Sequence, residues 1–310
     1  MKLYDIVFSP TGGTKKVADC LTGALDGEVA TVDLTDSKQN FDAVSLTKED
    51  VAVISVPSYG GRVPAVAAQR LSRVHGSGAR AVLVCVYGNR AYEDTLVELE
   101  DAAKQAGFQV IAAVAAVAEH SIARQFAAGR PDGTDAGQLS DFAKQIQHKL
   151  SENNLTEPTI PGNRPYKKAG GAGLVPKPSK ECVRCGVCVQ VCPVQAIDKE
   201  DPKKVDDKAC ISCMRCISVA YIIQPQIKVL SRTCQRFYYI SSLFFPMLCA
   251  GPSSNPLLFL NSVLDLMHQR ILRRTSQGFI QYYRVHHAVV LSSCPVFQFC
   301  KNKSYFFSCG

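Results

Sequence analysis

Seven cysteines fall into two runs of repeated spacing. Cys182, Cys185, Cys188 and Cys192 precede Pro193, and Cys210, Cys213 and Cys216 repeat the two-residue gaps. Thiolates are the ligands of iron in iron–sulfur clusters. The spacing C-x2-C-x2-C-x3-C-P lets one turn of chain place three sulfurs around a cube while the fourth departs beside the proline. In the second run the fourth place is Ala220, and no proline follows it. One run is complete in sequence and the other is short of a ligand.

The two runs together resemble a bacterial two-cluster ferredoxin with one ligand missing. In such ferredoxins the fourth cysteine of each run binds the other run's cluster. The resemblance implies that Cys192 joins Cys210, Cys213 and Cys216 in a complete [4Fe-4S] site. Cys182, Cys185 and Cys188 would lack their partner at Ala220. Cys234 or Cys249 could replace the missing thiolate, though no spacing argues for it, and resemblance to three-iron ferredoxins allows a centre with one iron fewer.

A second group of residues suits a different ligand. Ser9-Pro10-Thr11-Gly12-Gly13-Thr14 offers hydroxyls and glycine backbone N–H groups just before a helical pattern, a phosphate cradle that needs no cation. It is neither G-x-x-x-x-G-K-[ST] nor G-x-G-x-x-G, which weighs against triphosphate and dinucleotide ligands. Ser58-Tyr59-Gly60-Gly61-Arg62 and Tyr87-Gly88-Asn89-Arg90-Ala91-Tyr92 each set an aromatic beside glycine. Tyrosines there could sandwich a flat ring while bare backbone binds its polar edge. Glu119-His120-Ser121 is a weaker candidate for moving a proton, set against a polar strand terminus. Arg62 and Arg90 read as solvated loop arginines, and Lys167 and Lys168 as a solvated linker face.

Those loops need a frame. Apolar runs at 3–9, 28–34, 50–58, 80–88 and 109–117 alternate with helical patterns from Lys15, at 64–74, at 92–106 and near 137–150. The pattern predicts a parallel sheet covered on both faces. All three loops then follow strands, at the edge of the sheet where ligands of such folds bind. Cys20 and Cys85 lie in apolar patterns and are expected to be buried thiols.

With the cradle and both aromatic–glycine loops in place, residues 1 to about 150 resemble a flavodoxin. The combination of FSPTGGTKKVA, SYGGRVPA, YGNRAYED and CVRCGVC…CISCMRC resembles flavodoxin–ferredoxin fusion proteins of anaerobic bacteria, over residues 1 to about 219. That resemblance implies FMN as a second cofactor. Ser9, Thr11, Gly12, Gly13 and Thr14 would hold its phosphate, and Tyr59 with Tyr87 or Tyr92 would flank its ring. Ser58, Gly88 and Asn89 would complete the loops, and the Gly60–Gly61 peptide would turn to accept a hydrogen bond from reduced flavin N5. Flavodoxins more often carry T-G-N-T where this chain has T-G-G-T, which removes a side-chain contact.

The net charge of +8 would suggest a polyanionic partner, but it is confined to one end. Up to Ile217 there are 26 basic and 26 acidic residues, whereas the 93 residues from Ser218 hold nine basic residues and one acid, Asp265. That change coincides with the lost cysteine, so the tail reads as a shifted reading frame or aberrant gene end. The rival is a membrane-associating tail, although the apolar stretch 237–250 is short and broken by Pro246.

The expected fold class is therefore α/β. A flavodoxin-like, doubly wound five-stranded parallel sheet would span 1–151, with a linker at 152–177 and a small α+β ferredoxin-type module at 178–220. An atypical tail, expected to be disordered, would occupy 221–310. The expected function is electron transfer between [4Fe-4S] clusters and FMN, in the cytoplasm, with redox partner proteins, no nucleic acid and no membrane contact. Two alternatives stay open: an FMN-dependent reductase fed by its own clusters, and a defective product holding one cluster or none.

Overall fold

The computed structural model describes residues 1–170, 173–219 and 305–307. Ala220 and the rest of the tail, including Cys234 and Cys249, lie outside the described residues. The chain runs through β1 (Leu3–Val7), α1 (Gly13–Thr22), β2 (Val29–Asp33), β3 (Val51–Pro57), α2 (Ala65–Leu71), β4 (Arg80–Tyr87), α3 (Thr95–Gln105), β5 (Gln109–Val117) and α4 (Gly133–Ser151). These five strands pair in parallel in the order β2-β1-β3-β4-β5. That is the flavodoxin-like doubly wound order, with its switch point between β1 and β3. A short strand from the tail, β6 (Tyr305–Phe307), adds antiparallel to β5, with Val114 opposite Phe306.

The two-residue period of a strand divides each apolar run between two cores. Ala52, Ile54 and Val56 of β3 and Ala81, Leu83 and Cys85 of β4 face one side, which α2 and α3 cover. Val51 and Val53, with Val82, Val84 and Val86, face the other, beneath α1 and α4. Both faces are filled, so the runs read as continuously apolar. Each fully buried aliphatic side chain here stabilises the fold by about 1.5–3 kcal/mol.

Two helix starts differ most from expectation. The last helix begins at Gly133 because Asp132 caps it: its Oδ1 accepts from Thr134 N at 2.9 Å and Asp135 N at 3.0 Å, while Asp132 N donates to Asp135 Oδ2. Such a reciprocal cap is worth about 1 kcal/mol. The third helix begins at Thr95, later than the pattern at Tyr92, because Glu93 adopts φ +46° in a turn. Cys85 is fully buried as expected, whereas Cys20 is half-buried, on the flank of α1.

The proline- and glycine-rich stretch after α4 is pinned along α3. Ile160 packs on the core, and Glu157 pairs with Lys104. Buried Asp94 accepts from Asn163 N and Nδ2, both at 2.9 Å, and from Lys167 N at 2.8 Å. Arg164 reaches Glu100 and Asp101, and Tyr166 donates to Asp101. This strap delivers the chain to a small module with two helical turns, α5 (Val187–Val191) and α6 (Arg215–Ser218), and an antiparallel bridge between Ile197 and Val205. Its core is Cys192, Ala196 and Ile197 with Val194 and Val205 packed on them. Among the described residues, no helix is long and apolar enough to cross a membrane.

Candidate cluster and flavin sites

The loop after β1 is held from both ends. Ser9 N donates to Thr35 Oγ1 at 2.7 Å, and Ser9 Oγ accepts from Lys15 N at 2.9 Å, which leaves its O–H as a donor. Gly12 precedes α1 in the left-handed region (φ +88°), and among the described residues no atom lies within 4 Å of where a Cβ would project. Gly13 lies against Ala118, and Thr14 is buried in the first turn. The opening N–H groups of α1 have no intrahelical acceptor, and the helix dipole adds positive potential there. Thr11 is exposed on the rim. Room at Gly12 beside outward N–H groups fits the phosphate of a flavin nucleotide.

Of the two lysines that follow, Lys15 is engaged by carboxylates. Lys15 Nζ stands 3.2 Å from Asp5 Oδ2 and pairs with Asp19. Asp5 is wholly buried in β1, and that burial pushes its carboxyl above the ordinary range despite the nearby ammonium. Lys16 is exposed and acts on Glu119.

The loop after β3 is a tight reversal: Tyr59 N donates to Arg62 O at 3.0 Å and Arg62 N to Tyr59 O at 3.2 Å. Its central residues, Gly60 at φ +61° and Gly61 at φ +84°, both occupy the region that L side chains avoid. A Cβ on Gly60 would come within 2.6 Å of Gly170 O, and one on Gly61 within 2.8 Å of Glu93 Cβ. Ser58 bridges to the next loop, its Oγ 2.7 Å from Thr95 Oγ1. There Tyr87 and Tyr92 meet edge to face, ring centroids 5.4 Å apart, and line an open groove with Arg90, Asn163 and Lys167. Asn89 turns the tip at φ +65°, and Gly88 lies under the His120 ring. Burial pushes the Tyr59 hydroxyl pKa up, with a smaller effect from the Cys213 thiol.

One sequence expectation changes here. Arg62 is not a solvated loop arginine. It forks onto Glu98 through Nε and Nη2, each at 2.7 Å, donates to Lys167 O, and stacks 4.9 Å from the Tyr166 ring. Lys167 is exposed, as expected of a solvated linker face, and its ammonium pairs with Glu93. His120 holds a turn rather than a mobile proton: its Nδ1 accepts from Ile122 N and Ala123 N, both at 3.1 Å. Burial lowers its pKa and favours the neutral acceptor. Arg90 remains exposed, paired with Glu93, and Glu119 accepts from Arg124 and Gly129 N. The partners of Arg62 and Lys167 lie 36 and 74 residues away, beyond the reach of local pattern.

In the cluster module, Cys192, Cys210, Cys213 and Cys216 line one enclosed apolar cavity with Pro176, Ile197, Ile211 and Met214. Burial pushes the Cys213 thiol up to about 11 and the Cys216 thiol, with its neighbouring thiols, to about 12. Bare thiolates are therefore costly, and iron would replace their protons. Among the described residues no three His, Cys, Asp or Glu side chains gather as a single-ion site. Four thiols spread around a cavity fit a polynuclear cluster. Cys182, Cys185 and Cys188 form a separate, outer set, with Cys185 exposed and Cys188 pushed up by burial and by the other two.

The inner cysteine loops grip the larger domain. Arg70, on α2, donates to Leu34 O at 2.6 Å and to Pro193 O, next to Cys192, at 2.5 Å. Arg215, between Cys213 and Cys216, directs Nη1 at Pro10 O (3.1 Å) and Ser9 O (3.5 Å) of the phosphate loop. Ile211 packs on the α2/α3 core, and Ser212 Oγ accepts from Leu174 N. Sequence reasoning passed over Arg70, Asp94 and Arg215.

Residues 175–219 match the family model of the 4Fe-4S dicluster domain. No curated protein matches the chain. Among solved structures, similarity extends to a flavodoxin from the domain Archaea, at 12% identity over 49% of this chain and 99% of that one, TM-score 0.37. A flavodoxin of Streptococcus pneumoniae TIGR4 is 19% identical over 47% and 99%, TM-score 0.34. A Fusobacterium nucleatum flavodoxin bound to flavin mononucleotide is 15% identical over 48% and 99%, TM-score 0.34. At such TM-scores the strand order, rather than these likenesses, identifies the fold. The chain joins a flavodoxin-like domain to a segment of the 4Fe-4S dicluster type.

Proposed function

We propose that this chain is an electron-transfer protein that moves electrons between a [4Fe-4S] cluster held by Cys192, Cys210, Cys213 and Cys216 and FMN held by the loops after β1, β3 and β4. The observation that carries the reading is the seating of an inner cysteine loop on the phosphate loop, where Arg215, between Cys213 and Cys216, directs Nη1 at Pro10 O (3.1 Å) and Ser9 O (3.5 Å). When bound, the cluster supplies a one-electron carrier and FMN one that takes one or two electrons.

The residues then have separable tasks. Ser9 O–H, the open backbone at Gly12 and Gly13, and the first turn of α1 bind phosphate. Tyr59, Tyr87 and Tyr92 provide apolar contact for the ring, and Gly60–Gly61 brings backbone where a side chain would clash. The Arg62–Glu98 fork holds that loop, since Glu98 Oε2 also accepts from Val63 N at 2.8 Å. Apolar Ile197, Ile211 and Met214 exclude water from the inner cysteines, and burial of this kind tunes a cluster's potential.

Redox partner proteins would meet the outer cysteines, where Cys185 is exposed between exposed Val183 and Val187. A reducing cytoplasm suits bare thiols, and no nucleic acid or membrane is required. A carrier is favoured over a reductase because His120, the candidate for proton transfer, is engaged in holding its turn. The test is iron, acid-labile sulfide and FMN per chain, on protein purified without oxygen. About four irons with one FMN would support the inner cluster as the working centre, and about eight would add the outer one. Protein with flavin but no iron, or with neither, would refute the reading.

A further inference from the structure

Among the described residues, Ser9–Thr14 hold no cationic side chain of their own. Lys15 is turned down to Asp5 and Asp19, and Lys16 acts on Glu119. A guanidinium reaches the loop from elsewhere in the chain, 205 residues away in sequence: Arg215 Nη1 lies 3.1 Å from Pro10 O. Its Nε is buried without a hydrogen-bond partner, a donor that protein atoms leave unsatisfied. A buried donor in that condition is costly, and an anion nearby would relieve it. Arg215 also sits in the two-residue gap between Cys213 and Cys216, so the backbone that aims it is the backbone that wraps the inner cluster.

Resting on the flavoprotein reading above, we infer that Arg215 is the cation of the FMN phosphate site, supplied across the module boundary, so that FMN affinity depends on the inner cluster being built. Without iron, four buried thiols must pack as neutral groups and the Cys213–Cys216 turn is left to its own backbone hydrogen bonds. Arg215 is then aimed less firmly at the phosphate loop. By linkage the dependence runs both ways: bound FMN favours cluster retention by the same factor. Arg70, which ties Pro193 of the same cavity to Leu34, also holds the module to the larger domain.

The ligand chemistry makes the inference separable from general loosening. A guanidinium acting on phosphate discriminates FMN from riboflavin, which carries the same ring and no phosphate. FMN and riboflavin would each be titrated, by quenching of flavin fluorescence, into flavin-stripped protein with the cluster in place and again after anaerobic removal of iron by a chelator. The wild type, Arg215→Ala and Arg215→Lys are compared, with iron counted in each.

The expected result is FMN bound about tenfold more weakly after iron removal, with riboflavin unchanged. Arg215→Ala should show the weak FMN affinity with its cluster present and no further change on chelation, and Arg215→Lys should recover part of the difference. If Arg215→Ala loses its cluster, the comparison rests on Arg215→Lys and on the wild type before and after chelation. Equal FMN affinity in the two iron states, or an equal loss for FMN and riboflavin, would overturn the inference while leaving the carrier reading intact. Failure of the wild type to bind either flavin in any state would overturn both.

Discussion

Asp94→Asn is the substitution with the clearest consequence for how the two modules stay together. Asp94 is 2% exposed at the start of α3, and its carboxylate takes three hydrogen bonds from the strap: two on Oδ1 from Asn163 and one on Oδ2 from Lys167 N. Asparagine has the same size but must put an N–H where Oδ2 meets Lys167 N–H. One charge-assisted bond is lost, worth about 1.5–3 kcal/mol, and a buried N–H is left unpaired. A total near 3 kcal/mol follows, which raises the population of open strap about a hundredfold. The assay is limited trypsin digestion under native conditions, following cleavage after Lys167 and Lys168. Where opening is fast relative to cleavage, the rate tracks the open population and should rise by that factor. Acid should do the same to the wild type. The bond from Lys167 N lowers the pKa of Asp94 below its ordinary 3.8, so its contribution is present above that value and is lost as the pH falls through the lower folded value. Equal cleavage of the two proteins at neutral pH would refute the claim that Asp94 pins the strap.

Gly61→Ala should lower the stability of the flavodoxin-like domain by about 2–4 kcal/mol, by calorimetry, because it combines φ +84° with a Cβ driven into Glu93 and so disturbs the Glu93–Lys167 pair. Cys213→Ser should abolish the inner centre, read as the loss of about four irons per chain, whereas Cys185→Ser should leave that centre's spectrum unchanged. Protonation of His120 should free the Ile122 and Ala123 amides. Its folded pKa lies below the ordinary 6.5, so its contribution is complete above 6.5 and is lost as the pH falls through the lower value. Hydrogen exchange at those two amides, corrected for intrinsic rates, should therefore speed up on acidification, and His120→Ala should remove the pH dependence.

The strands were legible because a parallel sheet buried on both faces leaves a continuous apolar run, as in VAVISVP and RAVLVCVY. The cysteines were legible because ligand spacing is local. What escaped notice is held by long-range charge: Arg62 with Glu98, Asp94 with Asn163 and Lys167, and Arg215 with Pro10. Each of these residues has ordinary neighbours in sequence, so nothing within a window of ten residues separates a clamped arginine from a solvated one. The pinning of the linker was hidden for the same reason. Proline and glycine mark where chain leaves regular structure, and they do not say whether carboxylates on a nearby helix will hold it down.

The strap also sets how strongly a small module must bind its larger neighbour. A free tether over 152–177 would let the module wander about 28 Å root-mean-square, on the scaling of roughly 5–6 Å times the square root of length. With Lys167 and Leu174 both anchored, six residues remain between fixed points, and the corresponding distance shrinks to about 13 Å. Local concentration scales as about the −3/2 power of tether length, so anchoring raises it roughly ninefold. The cysteine module can therefore stay seated through a modest set of contacts, and a partner that reached for the same face from solution would have to outcompete a neighbour already present at millimolar effective concentration.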